Sequence, residues 1–227
     1  MPAYGFTIFL LLTPLLTTAQ EQKRFVFPTD TYGEVVLQLT LATDDIAAAR
    51  YHADDWYRTP VDSNNPEARY IQHVRGMFAE SKPRLRAVYQ IFERTLPGVP
   101  TTTFDELLVA FVQSIPYGTI PDRLDGQATH GLFPPLVVLR EGYGDCDSKS
   151  LLLAALVTHR HPVLYLINDR HVFVGLPGNP APGQHYVTID AQTWLLCEMT
   201  DRWGIGNLPP ESIADIARGG YQYILLK

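Results

Sequence analysis

The hydrophobic pattern changes period about two-thirds of the way along the chain. Residues 24–42 come first and read as extended, with a polar turn over 28–33 between partly alternating runs. Helical spacing then takes over. Residues 43–51 open like a capped helix, with Thr43 or Asp44 as the cap. Pro66 starts a pattern that runs to about Leu96, and Pro83 is expected to break it near Ser81. A third helix is predicted over 104–113, where Thr103 and Glu106 can form a capping box. Residues 114–139 carry Pro116, Gly118, Pro121, Gly126, Gly131, Pro134 and Pro135. That segment reads as irregular, either a cleft wall or a surface connection.

Residues 146–157 are apolar almost all round, so this helix belongs inside the protein. Beyond it the period becomes two. Strands are predicted over 162–167, 171–176, 186–190, 194–199 and 221–226, with Asn168-Asp169 as a tight turn. Helices followed by an antiparallel sheet make the α+β class. The arrangement expected is a buried helix packed on the sheet, preceded by a strand and helical part over 20–100, with a core over 101–227.

Composition narrows the partners. The chain has 227 residues, 46% of them hydrophobic, and a formal charge of −6. That length supports a real core, and that charge argues against nucleic acid or an anionic membrane as the main partner. Residues 5–19 form an apolar run ending in small residues, as in a secretory leader, although no Lys or Arg precedes it. The expectation is removal of 1–19 and export to the periplasm or the exterior, with no membrane association afterwards. Export would let the two cysteines, Cys146 and Cys197, pair. Their contexts differ: Cys146 follows a Gly-rich turn, and Cys197 lies inside a strand pattern.

Cys146 is the candidate nucleophile. A helix N-terminus presents unpaired N–H groups and partial positive charge, which favour a thiolate. A base must take the thiol proton, and a third group must orient the base. His171 follows after one helix, one strand and one turn, which lets the chain return to the helix N-terminus. Two acids can orient it, Glu198 and Asp190, and strand order decides between them. Gln113 is a candidate oxyanion donor beside the backbone N–H of Cys146. Asp145 fits the helix cap. Asp145 and Asp147 oppose a thiolate, and the expectation is that His171 as imidazolium outweighs them. His159 and His161 have metal-ligand spacing but sit at a helix C-terminus, where they read as structural. No cofactor and no metal is implied.

The run Gly144-Asp-Cys-Asp-Ser-Lys-Ser150 and its apolar continuation resemble the nucleophile motif of the transglutaminase-like superfamily of cysteine enzymes. Glu198-Met-Thr200 resembles the acidic residue two before a threonine, and Asp190 lacks that threonine. Residues 201–209 also look like bacterial members. Ser148 stands where many members have Asp, and Arg170 replaces the usual small residue beside the histidine. The resemblance implies a papain-like core, a Cys146–His171–Glu198 triad and acyl transfer at amide bonds of a peptide or protein substrate. Hydrolysis is the favoured outcome. Protein-glutamine cross-linking, or a binding domain that has lost activity, are the alternatives.

Overall fold

A computed structural model describes residues 8–10, 19–59, 65–95, 100–168 and 170–227. The proposed leader lies almost wholly outside the described residues. Within it, β1 (Ile8–Leu10) pairs in parallel with residues 35–37. The next strands, β2 (Gln20–Thr29) and β3 (Gly33–Ala42), form the hairpin expected from the alternation.

The helical part follows as α1 (Thr43–Arg58), α2 (Pro66–Arg84), α3 (Arg86–Thr95) and α4 (Thr101–Ser114). Three local expectations need correction. The cap of α1 is Ala42, with no side-chain cap, and the Thr43 hydroxyl donates instead to the Ala19 carbonyl at 2.9 Å. Pro83 is accommodated inside the last turn of α2, and the break falls at Leu85. Helix α4 begins at Thr101, two residues ahead of the expected capping box, so Thr103 lies inside the first turn and cannot cap it.

The irregular segment contains a small hairpin, β4 (Arg123–Leu124) and β5 (Gln127–Ala128), and an unforeseen helix, α5 (Pro135–Glu141). Gly142 ends α5 at φ 74°, a left-handed cap that a side chain would strain. Helix α6 (Cys146–Val157) follows, and every residue from Ser148 to Val157 is buried.

The remaining strands are β6 (Val163–Ile167), β7 (Val172–Pro177), β8 (Tyr186–Ile189) and β9 (Gln192–Glu198). Helix α7 (Pro210–Arg218) and β10 (Gln222–Leu226) close the chain. Five strands form one antiparallel sheet in the order β10-β6-β7-β9-β8. The protein is therefore α+β, with seven helices among the described residues. One face of the sheet, with Tyr165, Val172, Val174 and Cys197, joins the main core around α6. The other, with Phe173, Trp194 and Leu196, packs under Leu208 and α7. Helices α2, α4 and α5 enclose α6 on its remaining sides.

The α1–α2 pair carries its own pH sensitivity. His73 of α2 is 2% exposed and lies against Tyr57 and His130. Burial, then the nearby His130, lower its pKa to about 4, against a partly opposing bond to the Ala53 backbone. The folded state thus holds His73 neutral. That contribution is complete above the unfolded pKa near 6.5 and is lost as pH falls toward 4. Full loss corresponds to about 3 kcal/mol. In His73→Phe, urea midpoints measured from pH 6.5 to 4.5 should decline less steeply than in the parent. An identical decline would show that His73 does not carry it.

Candidate active site

The site is built where three segments meet the first turn of α6. Asp145 sits in extended backbone as the N-cap, and its carboxylate accepts the Ser148 N–H at 2.9 Å. The preceding Gly144 is held to the segment around Tyr117 by an isolated parallel bridge. Its N–H donates to Pro116, and its carbonyl accepts from Gly118, both at 3.1 Å. A Cβ on Gly118 would meet the Tyr143 ring at 2.5 Å, so this close approach requires glycine. The Ser148 hydroxyl oxygen accepts the Phe133 N–H at 2.9 Å.

The β6–β7 turn delivers His171. The Asn168 side-chain oxygen accepts the N–H groups of Arg170 and His171 at 2.9 and 2.7 Å, and the Asn168 backbone N–H donates to the His171 carbonyl at 3.0 Å. This is a side-chain-closed turn. Beyond it, Phe173 pairs across the sheet with Glu198. The His171 Nε2 then lies 2.6 Å from Glu198 Oε1. Glu198 is 1% exposed. Its carboxylate also accepts the N–H groups of Thr200 and Asp201, at 2.8 and 3.3 Å. Burial pushes the Glu198 pKa up, but hydrogen bonds from His171 and Thr200 outweigh it, and the net shift is downward. Against an ionised carboxylate, Nε2 carries the ring proton, and Nδ1 is the nitrogen that remains basic.

Strand order settles which acid reaches the imidazole. Strand β9, not β8, lies beside β7, so the C-terminal end of β9 returns to His171. Asp190 is corrected accordingly. It occupies the β8–β9 turn at φ 51°, exposed, at the opposite end of β9. Gln113 is also corrected as an oxyanion donor. Its Nε2 donates to the Glu198 carbonyl at 2.7 Å, and its Oε1 accepts from Gly204 N at 3.2 Å. The side chain is buried and braces the end of β9.

The sulfur has unexpected partners. Cys146 Sγ donates to Asp147 Oδ1 at 3.0 Å. The second oxygen of Asp147 accepts the Tyr70 hydroxyl of α2 at 2.7 Å, and the Asp147 carbonyl accepts the Tyr165 hydroxyl at 3.1 Å. Burial, then the Asp147 charge and the thiol–carboxylate bond, then Asp145, raise the thiol pKa. The Val172 N–H opposes them. This overturns the expectation that His171 tips Cys146 toward thiolate. The imidazole is bonded to Glu198, and the carboxylates of Asp147 and Asp145 both disfavour a charged sulfur. Partial desolvation, and then the negative charges of Asp145, Asp147 and Glu198, likewise raise the pKa of Tyr117, which stands exposed nearby.

Sequence reasoning missed Lys149. Its ammonium is fully buried and donates to the Ile115 carbonyl at 2.6 Å and to the Gln113 carbonyl at 3.4 Å. A lysine inside an otherwise apolar helix was the available signal. Tyr70 gave none.

Cys146 and Cys197 are both free, and Cys197 is buried in the core. The histidine pair is structural: His161 Nε2 lies 2.8 Å from Asp105 Oδ2, and His159 packs near Tyr89. Among the described residues no group of three His, Cys, Asp or Glu could hold a metal ion, and no helix is long and apolar enough to cross a membrane. A cavity of about 640 Å³ is lined by Gln113, Tyr32, Glu106, Arg202 and Trp203 among others, and by none of Cys146, His171 and Glu198. Comparison with family models, curated proteins and solved structures gave no match.

Proposed function

We propose that the chain is a thiol-dependent hydrolase of peptide or protein amides, with a papain-like core and a transglutaminase-like Cys146–His171–Glu198 triad. The observation that carries this reading is the 2.6 Å contact between His171 and a buried, ionised Glu198. An imidazole fixed by its Nε2 leaves Nδ1 to accept a proton. In the first step the Cys146 proton passes to Nδ1, and sulfur attacks the amide carbonyl carbon. The N–H of Cys146 at the start of α6 receives the developing oxyanion. Breakdown expels the amine, which leaves with the proton from His171. Water then gives a proton to His171 and attacks the thioester. The acid product leaves, and the sulfur recovers its proton.

A second reading, a binding domain on the same scaffold, is favoured by the thiol's bond to Asp147 in place of a ring nitrogen. One experiment separates the two. The protein is incubated with casein and with a defined peptide mixture, and new termini are sought by mass spectrometry. An enzyme yields new termini and an acyl adduct on Cys146, and Cys146→Ala yields neither. No new termini from the parent, or termini that persist in Cys146→Ala, would refute the hydrolase.

A further inference from the structure

The geometry points to Asp147 as a positioning residue for the nucleophile: it holds the Cys146 thiol proton, and Tyr70 of α2 clamps the carboxylate in that pose. The inference deepens the hydrolase reading and makes α2 part of the active site.

The contacts form one chain. The thiol reaches Asp147 Oδ1 at 3.0 Å, and Tyr70 reaches Oδ2 at 2.7 Å. Tyr165 holds the Asp147 backbone at 3.1 Å, and its hydroxyl lies 3.3 Å from that of Tyr70. Both carboxylate oxygens are thus occupied, one by the nucleophile and one by a residue far away in sequence. A carboxylate with both oxygens committed has no freedom to turn from the sulfur. The charged and titratable groups around Cys146 among the described residues fit this account. Asp145 and Asp147 of α6 disfavour a thiolate. The phenols of Tyr70, Tyr165 and Tyr117 have raised pKa values and stay neutral. Lys149 is turned away to the Ile115 carbonyl, and Glu198 is spent on His171. The resting nucleophile is therefore a parked thiol. It becomes active only when the sulfur leaves Asp147 for the free ring nitrogen.

The test uses the whole chain and iodoacetamide, with Cys146 alkylation followed by peptide mass spectrometry across pH and buried Cys197 as internal reference. Asp147→Asn removes the charge beside the sulfur. Its alkylation midpoint should fall by at least about one pH unit, giving about tenfold faster labelling at pH 7. Tyr70→Phe deletes only a hydroxyl and is the milder variant. It should shift the midpoint when Asp147 is present and leave it unmoved in the Asp147→Asn background, since the clamp acts only through that carboxylate. An unchanged midpoint in Tyr70→Phe overturns the clamp. A parent midpoint already below neutral pH overturns the parked thiol. Alkylation needs no substrate, so either result is separable from a failure of amide hydrolysis.

Discussion

Glu198→Gln should lower kcat for amide hydrolysis by about 10⁴-fold, the scale seen when the acid of a comparable triad becomes an amide. The reason is tautomeric. Ionised Glu198 can only accept, so Nε2 of His171 must donate and Nδ1 is left basic. A glutamine that offers its NH₂ to Nε2 places it where Oε1 stood, so the Thr200 N–H loses its acceptor and the remaining oxygen keeps only the Asp201 N–H. The ring proton then moves to Nδ1, the nitrogen needed to receive the thiol proton. Folding should suffer less. The lost carboxylate hydrogen bonds cost about 1–3 kcal/mol, a fraction of ordinary domain stability. Asp190→Asn, at the far end of β9, should leave kcat unchanged. The measurement is kcat for both variants on a peptide cleaved by the parent. Glu198→Gln within tenfold of the parent, or Asp190→Asn matching its loss, would remove Glu198 from the mechanism. The pH profile adds a check. The Glu198 pKa is held below its ordinary value, so the carboxylate stays ionised below the usual carboxyl range. The acid limb of the parent profile should therefore not fall in the ordinary carboxyl range.

The local half of this site was legible in the sequence, and the convergent half was not. Asp145 as cap follows from residue type and position alone, because capping is settled within one helical turn. The α+β class and the strands around His171 follow from the change of period after Val157. Periodicity says which residues share a strand face but not which strands are neighbours. Glu198 and Asp190 thus stayed equivalent on spacing; the resemblance at Glu198-Met-Thr200 favoured Glu198, and the insertion of β9 between β7 and β8 supplies the geometric reason. Gln113 was misread for a related reason. A polar residue at a helix end near a nucleophile could face the substrate or the interior, and the returning end of β9 claims it. The contact between Tyr70 and Asp147 joins two elements that no local pattern relates. The electrostatic expectation failed by the same route. The two carboxylates beside Cys146 were visible, but the commitment of His171 to Glu198 and the fixing of Asp147 are tertiary facts.

Lys149→Met should destabilise the protein by about 2 kcal/mol at neutral pH, because one partner of a buried polar contact is removed and the other remains. The Lys149 ammonium lies fully buried at the C-terminal end of α4, donating to the Ile115 and Gln113 carbonyls. Carbonyls at a helix C-terminus lack intrahelical donors and carry partial negative charge. Methionine fills similar space but leaves them with no replacement donor. Relief of the buried charge offsets part of the loss, which keeps the estimate modest. The pH dependence gives the stronger signature. Burial lowers the Lys149 pKa to about 8, while Glu198 and Asp201 pull it up less strongly. Between the folded value and the unfolded value near 10.5, the unfolded chain binds the proton and the folded chain does not. Stability from this group therefore rises with pH across that window, by up to about 3 kcal/mol. Below it the lysine is charged in both states, and the term is constant. The raised thiol and phenol groups act in the opposite sense at alkaline pH, but both proteins contain them, so they cancel in the difference. Urea denaturation of parent and variant at pH 7, 9 and 10.5 should show a gap that widens with pH. A gap that stays constant or closes would mean that Lys149 does not carry a buried charge in the folded protein.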